Sequence, residues 1–269
     1  MRVADNGCME RPLAGSTELT PRERELEYYD GLYSGFAQQH FAKPAVVAFR
    51  RHLVRRILRL TRATSQSRVL SIGSGTGDTE FLLAPHVASI TGIDISARGV
   101  DHSVHAATEC GITNASFLAT DIDDPRLDEH PFDIAIGIFF LHHLPDQIDE
   151  KLPRRVHALL KPGGVFYALD PSSCRLSGQI GKLLVPKLMA KYQTEGEAPL
   201  SPARTWNAFA HAGFKVRKSY YDFASTPLAG LLPSWKALYL ASRWIDNALV
   251  RVPLINLLSS NFEVLACRL

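Results

Sequence analysis

The sequence predicts an α/β fold built on a doubly wound, mostly parallel sheet, and three observations carry that prediction. Residues 68–80, Arg-Val-Leu-Ser-Ile-Gly-Ser-Gly-Thr-Gly-Asp-Thr-Glu, place a short apolar run before three alternate glycines and a segment able to start a helix. Strand, glycine turn and helix are the parts of a nucleotide-binding crossover, in which glycine lets a ligand approach the backbone. Further short apolar runs then alternate with helical patterns, which implies a parallel sheet. Finally, the glycine turn, Asp94, Asp121, residues 137–143 and Asp170 all fall at the C-terminal ends of these runs, where open α/β sheets bind ligands.

Composition narrows the class. The chain has 269 residues, enough for one domain with insertions, and its 46% hydrophobic and 21% charged content is ordinary for a globular protein. A net charge of +3 gives no argument for a nucleic-acid partner. Cys8, Cys110, Cys174 and Cys267 are far apart, form no metal-like pair, and read as reduced thiols of a cytoplasmic protein. The N-terminus lacks the apolar segment of a signal peptide, and no apolar run approaches the ~20 residues of a spanning helix.

In chain order, residues 1–20 read as a loose tail. Thr20-Pro21-Arg22-Glu23 is a helix start, with a Thr cap, Pro in the first turn and Glu at the capping-box position. That helix carries Leu26, Tyr28, Tyr29 and Tyr33, and is weakened at Gly31 and Gly35. Residues 44–62 form an amphipathic helix, with Val46, Leu53, Ile57 and Leu60 on its apolar side and Arg50, Arg51, Arg55, Arg56, Arg59 and Arg62 on its basic side. A basic amphipathic helix can lie on an anionic membrane surface, but a solvated face of a helix packed on the sheet is the preferred reading. After the first strand, residues 69–72, a helix covers 78–84. Residues 89–94 form the second strand, ending in an acid about twenty residues after the glycines, where it can accept hydrogen bonds from ribose hydroxyls. A helix over 97–110 follows, with Ser96 placed to cap it and Gly111 to stop it. Residues 114–121 and 165–170 give the third and fifth strands, residues 131–145 the fourth strand and the loop after it, with a helix over 146–160 before the fifth.

The motifs resemble those of class I S-adenosylmethionine-dependent methyltransferases. Gly-x-Gly-x-Gly departs from the dinucleotide fingerprint, which would need Gly or Ala where Asp78 stands, and resembles this family's first motif. Gly-Ile-Asp-Ile-Ser resembles the second, and residues 131–145, with their His-His-Leu tail, the fourth. The resemblance covers residues 66–171 well and extends weakly to His211-Ala-Gly-Phe214 and to residues 261–268. It implies a Rossmann-like, seven-stranded sheet and a cofactor site for S-adenosyl-L-methionine, with S-adenosyl-L-homocysteine as product. The implied cofactor residues are Ser71, Gly73, Ser74, Gly75 and Gly77 of the turn, Asp94 at the ribose, Ile95 against the adenine, Asp121 and the Ile122 amide at the adenine edge, and Gly137 and Ile138 at the methionine end. Tyr28, Tyr29 or Tyr33 could face the cofactor or the substrate from an N-terminal lid. His142 is the first candidate base and His143 the second, with Asp170 able to orient either; no metal is implied. Ser71 departs from the family, which usually carries Asp or Glu there to contact the cofactor's ammonium indirectly; Asp78 or Asp170 could compensate.

The chain thus divides into a tail and lid helix (1–43), a cofactor-binding core (44–171), an insertion (172–202), a sixth-strand region (203–225), a second insertion (226–258) and a last strand (259–269). Both insertions are rich in apolar residues and prolines and lie on the acceptor side. They imply either a helical cap forming an apolar substrate pocket, or an extra layer or homo-oligomer interface. The expected activity is methyl transfer to a lipophilic small molecule such as a quinone, lipid or natural product. The alternatives are a protein or nucleic-acid methyltransferase, or a non-catalytic protein that binds the cofactor.

Overall fold

A computed structural model describes residues 20–33, 36–144, 146–179 and 198–269. The expected tail, Cys8, Gly35 and the apolar residues Leu183, Leu184, Val185, Leu188 and Met189 of the first insertion lie outside the described residues.

Seven strands form one sheet: β1 (Arg68–Ile72), β2 (Ser89–Asp94), β3 (Ala115–Ala119), β4 (Phe132–Ile138), β5 (Leu160–Pro171), β6 (Phe214–Asp222) and β7 (Asn261–Arg268). Their order is β3-β2-β1-β4-β5-β7-β6. The first five are parallel, and β7 runs antiparallel between β5 and β6. The chain reverses direction across the sheet at β1, between β2 and β4, so the ends of those strands diverge into a crevice.

Helices cover both faces. On one, α3 (Pro44–Thr61) buries Leu53, Val54 and Ile57 in a cluster with Val69, Ile134 and Tyr167. On the other, α6 (Lys151–Leu159) and α7 (Pro202–His211) supply Leu152, Val156 and Phe209 to a cluster with Leu70, Phe166 and Val264. The N-terminal helix α1 (Pro21–Tyr33) starts with the expected capping box: the Glu23 carboxylate accepts the Thr20 N–H at 2.8 Å, and Thr20 Oγ1 accepts the Glu23 N–H at 3.3 Å. It runs through Gly31 and is followed by a short helix, α2 (Phe36–Phe41). Further helices are α4 (Asp78–Leu83), α5 (Ala97–Glu109), α8 (Ser225–Leu231) and α9 (Lys236–Leu249).

Three boundaries differ from expectation. The helix expected over 146–160 begins at Lys151, because residues before it close isolated turns such as Leu152 N–H to Gln147 O. β5 begins at Leu160 and not at 165, since Leu160 already pairs with Phe132 and Gly163, at φ 78°, takes up the turn beyond it as a bulge. β3 ends at Ala119, although the Thr120 N–H still bonds the Asp94 carbonyl and carries Asp121 to the sheet's edge.

The basic side of α3 is solvated only in part. Arg51, Arg55 and Arg59 are exposed. Arg56 turns inward to pair with the buried Glu263 of β7, and Arg50 turns toward the crevice.

Candidate active site

The glycine turn is built by backbone conformation. Gly73, Gly75 and Gly77 lie at φ 70°, 54° and 80°, a region costly for residues with a Cβ. A Cβ on Gly75 would lie 2.8 Å from the Tyr33 hydroxyl, and one on Gly73 would lie 2.6 Å from the Phe140 ring. The turn therefore needs glycine twice over, for its dihedrals and for the rings packed against it.

A cavity of about 690 Å³ opens along the crevice. The turn lines it through Ser71, Gly73, Ser74 and Gly75, with Asp94 and Ile95 from the end of β2, Asp121 and Ile122 from the end of β3, and Ile138 from β4. Asp94 accepts the Gly75 N–H at 2.8 Å and the Ser96 N–H at 2.9 Å, so it ties turn to strand. The Ser96 hydroxyl caps α5 by accepting the Gly99 N–H. Asp121 accepts the Asp123 N–H at 2.9 Å.

Four expected residues stand elsewhere. Gly77 lies behind the turn as the residue preceding α4, and Gly137 is packed beneath Phe140. Neither is among the lining residues. Tyr28 is not either; Tyr29, one residue on, lines the cavity together with Tyr33 and reaches His143 Nε2 at 3.3 Å. Asp170 is fully buried behind the wall and acts on the cavity through His142.

At the end of β4 the backbone is strained. Phe139 adopts φ 54°, uncommon for a bulky residue and concentrated at functional sites. The next turn presents His142 and His143, their rings 4.1 Å apart. Asp170 Oδ1 accepts the His142 backbone N–H at 3.1 Å and lies 2.8 Å from its Nδ1. With Nδ1 holding the proton toward Asp170, Nε2 is the free basic nitrogen.

Sequence reasoning missed Glu80. It stands on α4, buried, and its Oε1 accepts the Ser71 hydroxyl at 2.5 Å. Burial pushes its carboxyl up to about 7, with the Ser71 hydrogen bond pulling the other way. It lines the cavity, and among the described residues it forms no ion pair. A carboxyl therefore stands beside position 71 after all, from nine residues further on. Of the two acids named above, Asp78 lines the cavity and accepts the Thr76 hydroxyl, and Asp170 faces His142. Arg50 was missed as well. It lines the same end of the cavity and donates to the Thr79 hydroxyl at 2.8 Å. The far side is apolar, with Phe41, Val46, Phe49, Phe139 and Ala229.

These features fit S-adenosylmethionine: a glycine cradle, acids at two strand ends, and a buried carboxyl in no ion pair among the described residues. Residues 69–164 match a family model described as a methyltransferase domain. This stretch is thus similar to a methyltransferase domain, and the sheet around it has the fold of S-adenosylmethionine-dependent methyltransferases of class I. Two curated relatives are similar to it. Aklanonic acid methyltransferase DauC of a Streptomyces species is 32% identical over 97 residues, which is 35% of this chain and 44% of that protein. A ubiquinone biosynthesis O-methyltransferase of Coxiella burnetii is 29% identical over 155 residues, 55% of this chain and 64% of that protein. The match thus spans less than two thirds of either relative. The solved structure of magnesium protoporphyrin IX methyltransferase (ChlM) from Synechocystis, with bound S-adenosylhomocysteine, shares the fold with TM-score 0.59 at 14% identity, over 91% of this chain and 100% of that one.

Among the described residues no cluster of His, Cys, Asp or Glu could hold a metal ion, and no helix is long and apolar enough to cross a membrane.

Proposed function

We propose that this protein transfers a methyl group from S-adenosylmethionine to a lipophilic small molecule. One observation carries the proposal: a single cavity joins a polar end, lined by the glycine turn, Glu80, Asp94 and Asp121, to an apolar end lined by Phe41, Val46, Phe49 and Ala229, and His142 lines it too. The names of the two relatives, which concern aklanonic acid and ubiquinone biosynthesis, support an acceptor of that kind.

Bound cofactor supplies an electrophilic methyl on a sulfonium. Asp94 would hold the ribose hydroxyls, Asp121 and the Ile122 amide the adenine edge, and Glu80 the ammonium. The apolar wall would hold the acceptor in line with the methyl, and positioning of that kind supplies much of the rate. For a phenol, enol or hydroxyl acceptor, His142 Nε2 would take the departing proton while Asp170 holds Nδ1 and stabilises the imidazolium. The cofactor would supply the methyl and keep the electron pair of its broken sulfur–carbon bond, and His142 would hold the acceptor's proton.

Calorimetry with S-adenosylhomocysteine tests the cofactor site. Asp94→Ala is expected to weaken binding about tenfold or more, the loss of a charge-assisted hydrogen bond. Unchanged affinity would remove Asp94 from the site. Transfer of labelled methyl to quinols and phenolic aromatics, and not to peptides or RNA, tests the acceptor class. Labelling of macromolecules alone would overturn it.

A further inference from the structure

Helix α9 is inside out. The face it turns to the protein carries Tyr239, Ser242, Arg243 and Asp246, all buried. Arg243 donates to the Tyr221 carbonyl at 2.8 Å and to His52 Nε2 at 3.2 Å, and its guanidinium lies 4.1 Å from the centre of the Tyr221 ring. Asp246, 1% exposed, accepts the Ser225 N–H at 2.8 Å. Polar bonds therefore anchor the helix. The outward face, at helical spacing, is Ala237, Leu240, Ala241, Trp244, Ile245 and Ala248, every one exposed and none charged. Trp244 is 77% exposed. The flanks continue the pattern: Leu231, Leu232 and Trp235 are exposed before the helix, and Leu254, Ile255, Leu257 and Leu258 after it. A scattered exposed hydrophobe needs no explanation, but a whole helix face does.

Charge says what covers it. The chain as a whole is nearly balanced, with 30 Lys and Arg against 27 Asp and Glu. The region around α9 is not. Its neighbour α3 has no acid and exposes Arg51, Arg55 and Arg59. In residues 231–258 the sole acid is the buried Asp246. A groove beside the last turn of α9 is lined by Arg59, Arg62, Arg217, Lys218 and Arg251, with no acid among its described lining residues. A second copy of the chain would bring two such cationic, carboxylate-free surfaces together. An anionic bilayer instead offers phosphates to the groove and hydrocarbon to Trp244 and Leu240.

We propose that the outer face of α9, with the arginine groove at its end, docks this protein on an anionic membrane surface, lying in the headgroup boundary without crossing it. The docking face adjoins the cavity. Thr226, Ala229 and Gly230 of α8 line the cavity wall, and the exposed Leu231, Leu232 and Trp235 follow them directly in the chain. If the acceptor is lipophilic, as proposed above, this rim is where it would pass from bilayer to site. The docking itself does not depend on that reading.

The test is sedimentation of the full chain with vesicles of phosphatidylcholine alone, and of phosphatidylcholine and phosphatidylglycerol in equal parts. The protein is expected to sediment with the mixed vesicles and at least about tenfold less with the neutral ones, more weakly as salt is raised. Leu240→Ser with Trp244→Ser should cut binding to mixed vesicles about tenfold or more, since two large apolar side chains leave the boundary. Arg59→Gln with Arg62→Gln should cut it about fivefold per arginine. Unchanged calorimetric binding of S-adenosylhomocysteine in both variants separates lost docking from a misfolded chain, and either variant alone suffices if the other fails to fold. Absence of sedimentation with both vesicle types would overturn the proposal, as would variants that sediment like the parent. A dimer in velocity sedimentation that Leu240→Ser with Trp244→Ser converts to monomer, without vesicle binding, would assign the face to a second copy and overturn it too.

Discussion

Two glutamates are buried among the described residues, and their surroundings differ in one respect. Glu263 on β7 is fully satisfied: Arg56 pairs with it through two nitrogens, and the Tyr167 and Ser219 hydroxyls donate to it, each at 2.7 Å. It locks α3 to the sheet. Glu80 on α4 has the Ser71 hydroxyl but no ion pair among the described residues, and it lines the cavity. A buried carboxyl that lacks a cation tends to stay protonated, and burial accordingly pushes this one up to about 7. The first acid is completed by the fold. In the function proposed here, the second is completed by the cofactor's ammonium.

The contrast can be broken most forcibly at Glu263. Glu263→Gln strands Arg56 in a buried setting and is expected to cost about 3–5 kcal/mol in chemical denaturation. A loss below about 1 kcal/mol would mean the pair is not the lock described. Glu80→Gln should do the opposite to the fold, leaving stability at pH 7 equal or higher, while weakening S-adenosylhomocysteine binding by about tenfold to a hundredfold, the worth of a hydrogen bond to a charged group. Moving the acid back, with Ser71→Asp and Glu80→Ala together, should restore much of that affinity.

Protons sharpen the same contrast. Between 4.5, the ordinary glutamate value, and about 7, Glu80 is protonated in the folded chain and ionised in the unfolded one. The unfolded state then binds fewer protons, so the stability of the ligand-free protein falls as pH rises through that window, by roughly 3 kcal/mol at most. Glu80→Gln should flatten that part of the profile. A cation beside Glu80 favours its ionised form, so S-adenosylhomocysteine binding at pH 6 should release a proton, read in buffers of different ionisation heat, and should not in Glu80→Gln. The smallest effect is expected from Ser71→Ala, which removes the bond that holds Glu80 down. The midpoint of proton release should rise, with a change in cofactor binding of about 1 kcal/mol.

Much of the site was legible because it is local. A glycine turn after a strand, Asp94 closing the next strand and Asp121 the next are short-range patterns, and parallel topology then brings their ends together. The exchange of Ser71 and Glu80 was not legible. An acid nine residues away on a helix meets position 71 only once α4 packs against β1. The pairing of His142 with Asp170 could be guessed from two strand ends, but its geometry comes from the adjacency of β4 and β5 and from the strained turn at Phe139. Tyr28 and Tyr29 are neighbours on α1, and only the docking of that helix turns Tyr29 and not Tyr28 into the cavity.

By itself the sequence determined the α/β class, the order of strands and helices, the turn that must be glycine and the acids at the strand ends. Each follows from the dihedral preferences and apolar period of a few consecutive residues. Tertiary structure alone decided which of two buried glutamates would be locked in an ion pair and which would face the cavity, and which face of α9 would look outward. Helical periodicity draws two stripes but does not say which one faces in. That is settled by what waits on the other side: at α9 it is Tyr221, His52 and the amides of α8, which bind its arginine and aspartate and leave its tryptophan in the open.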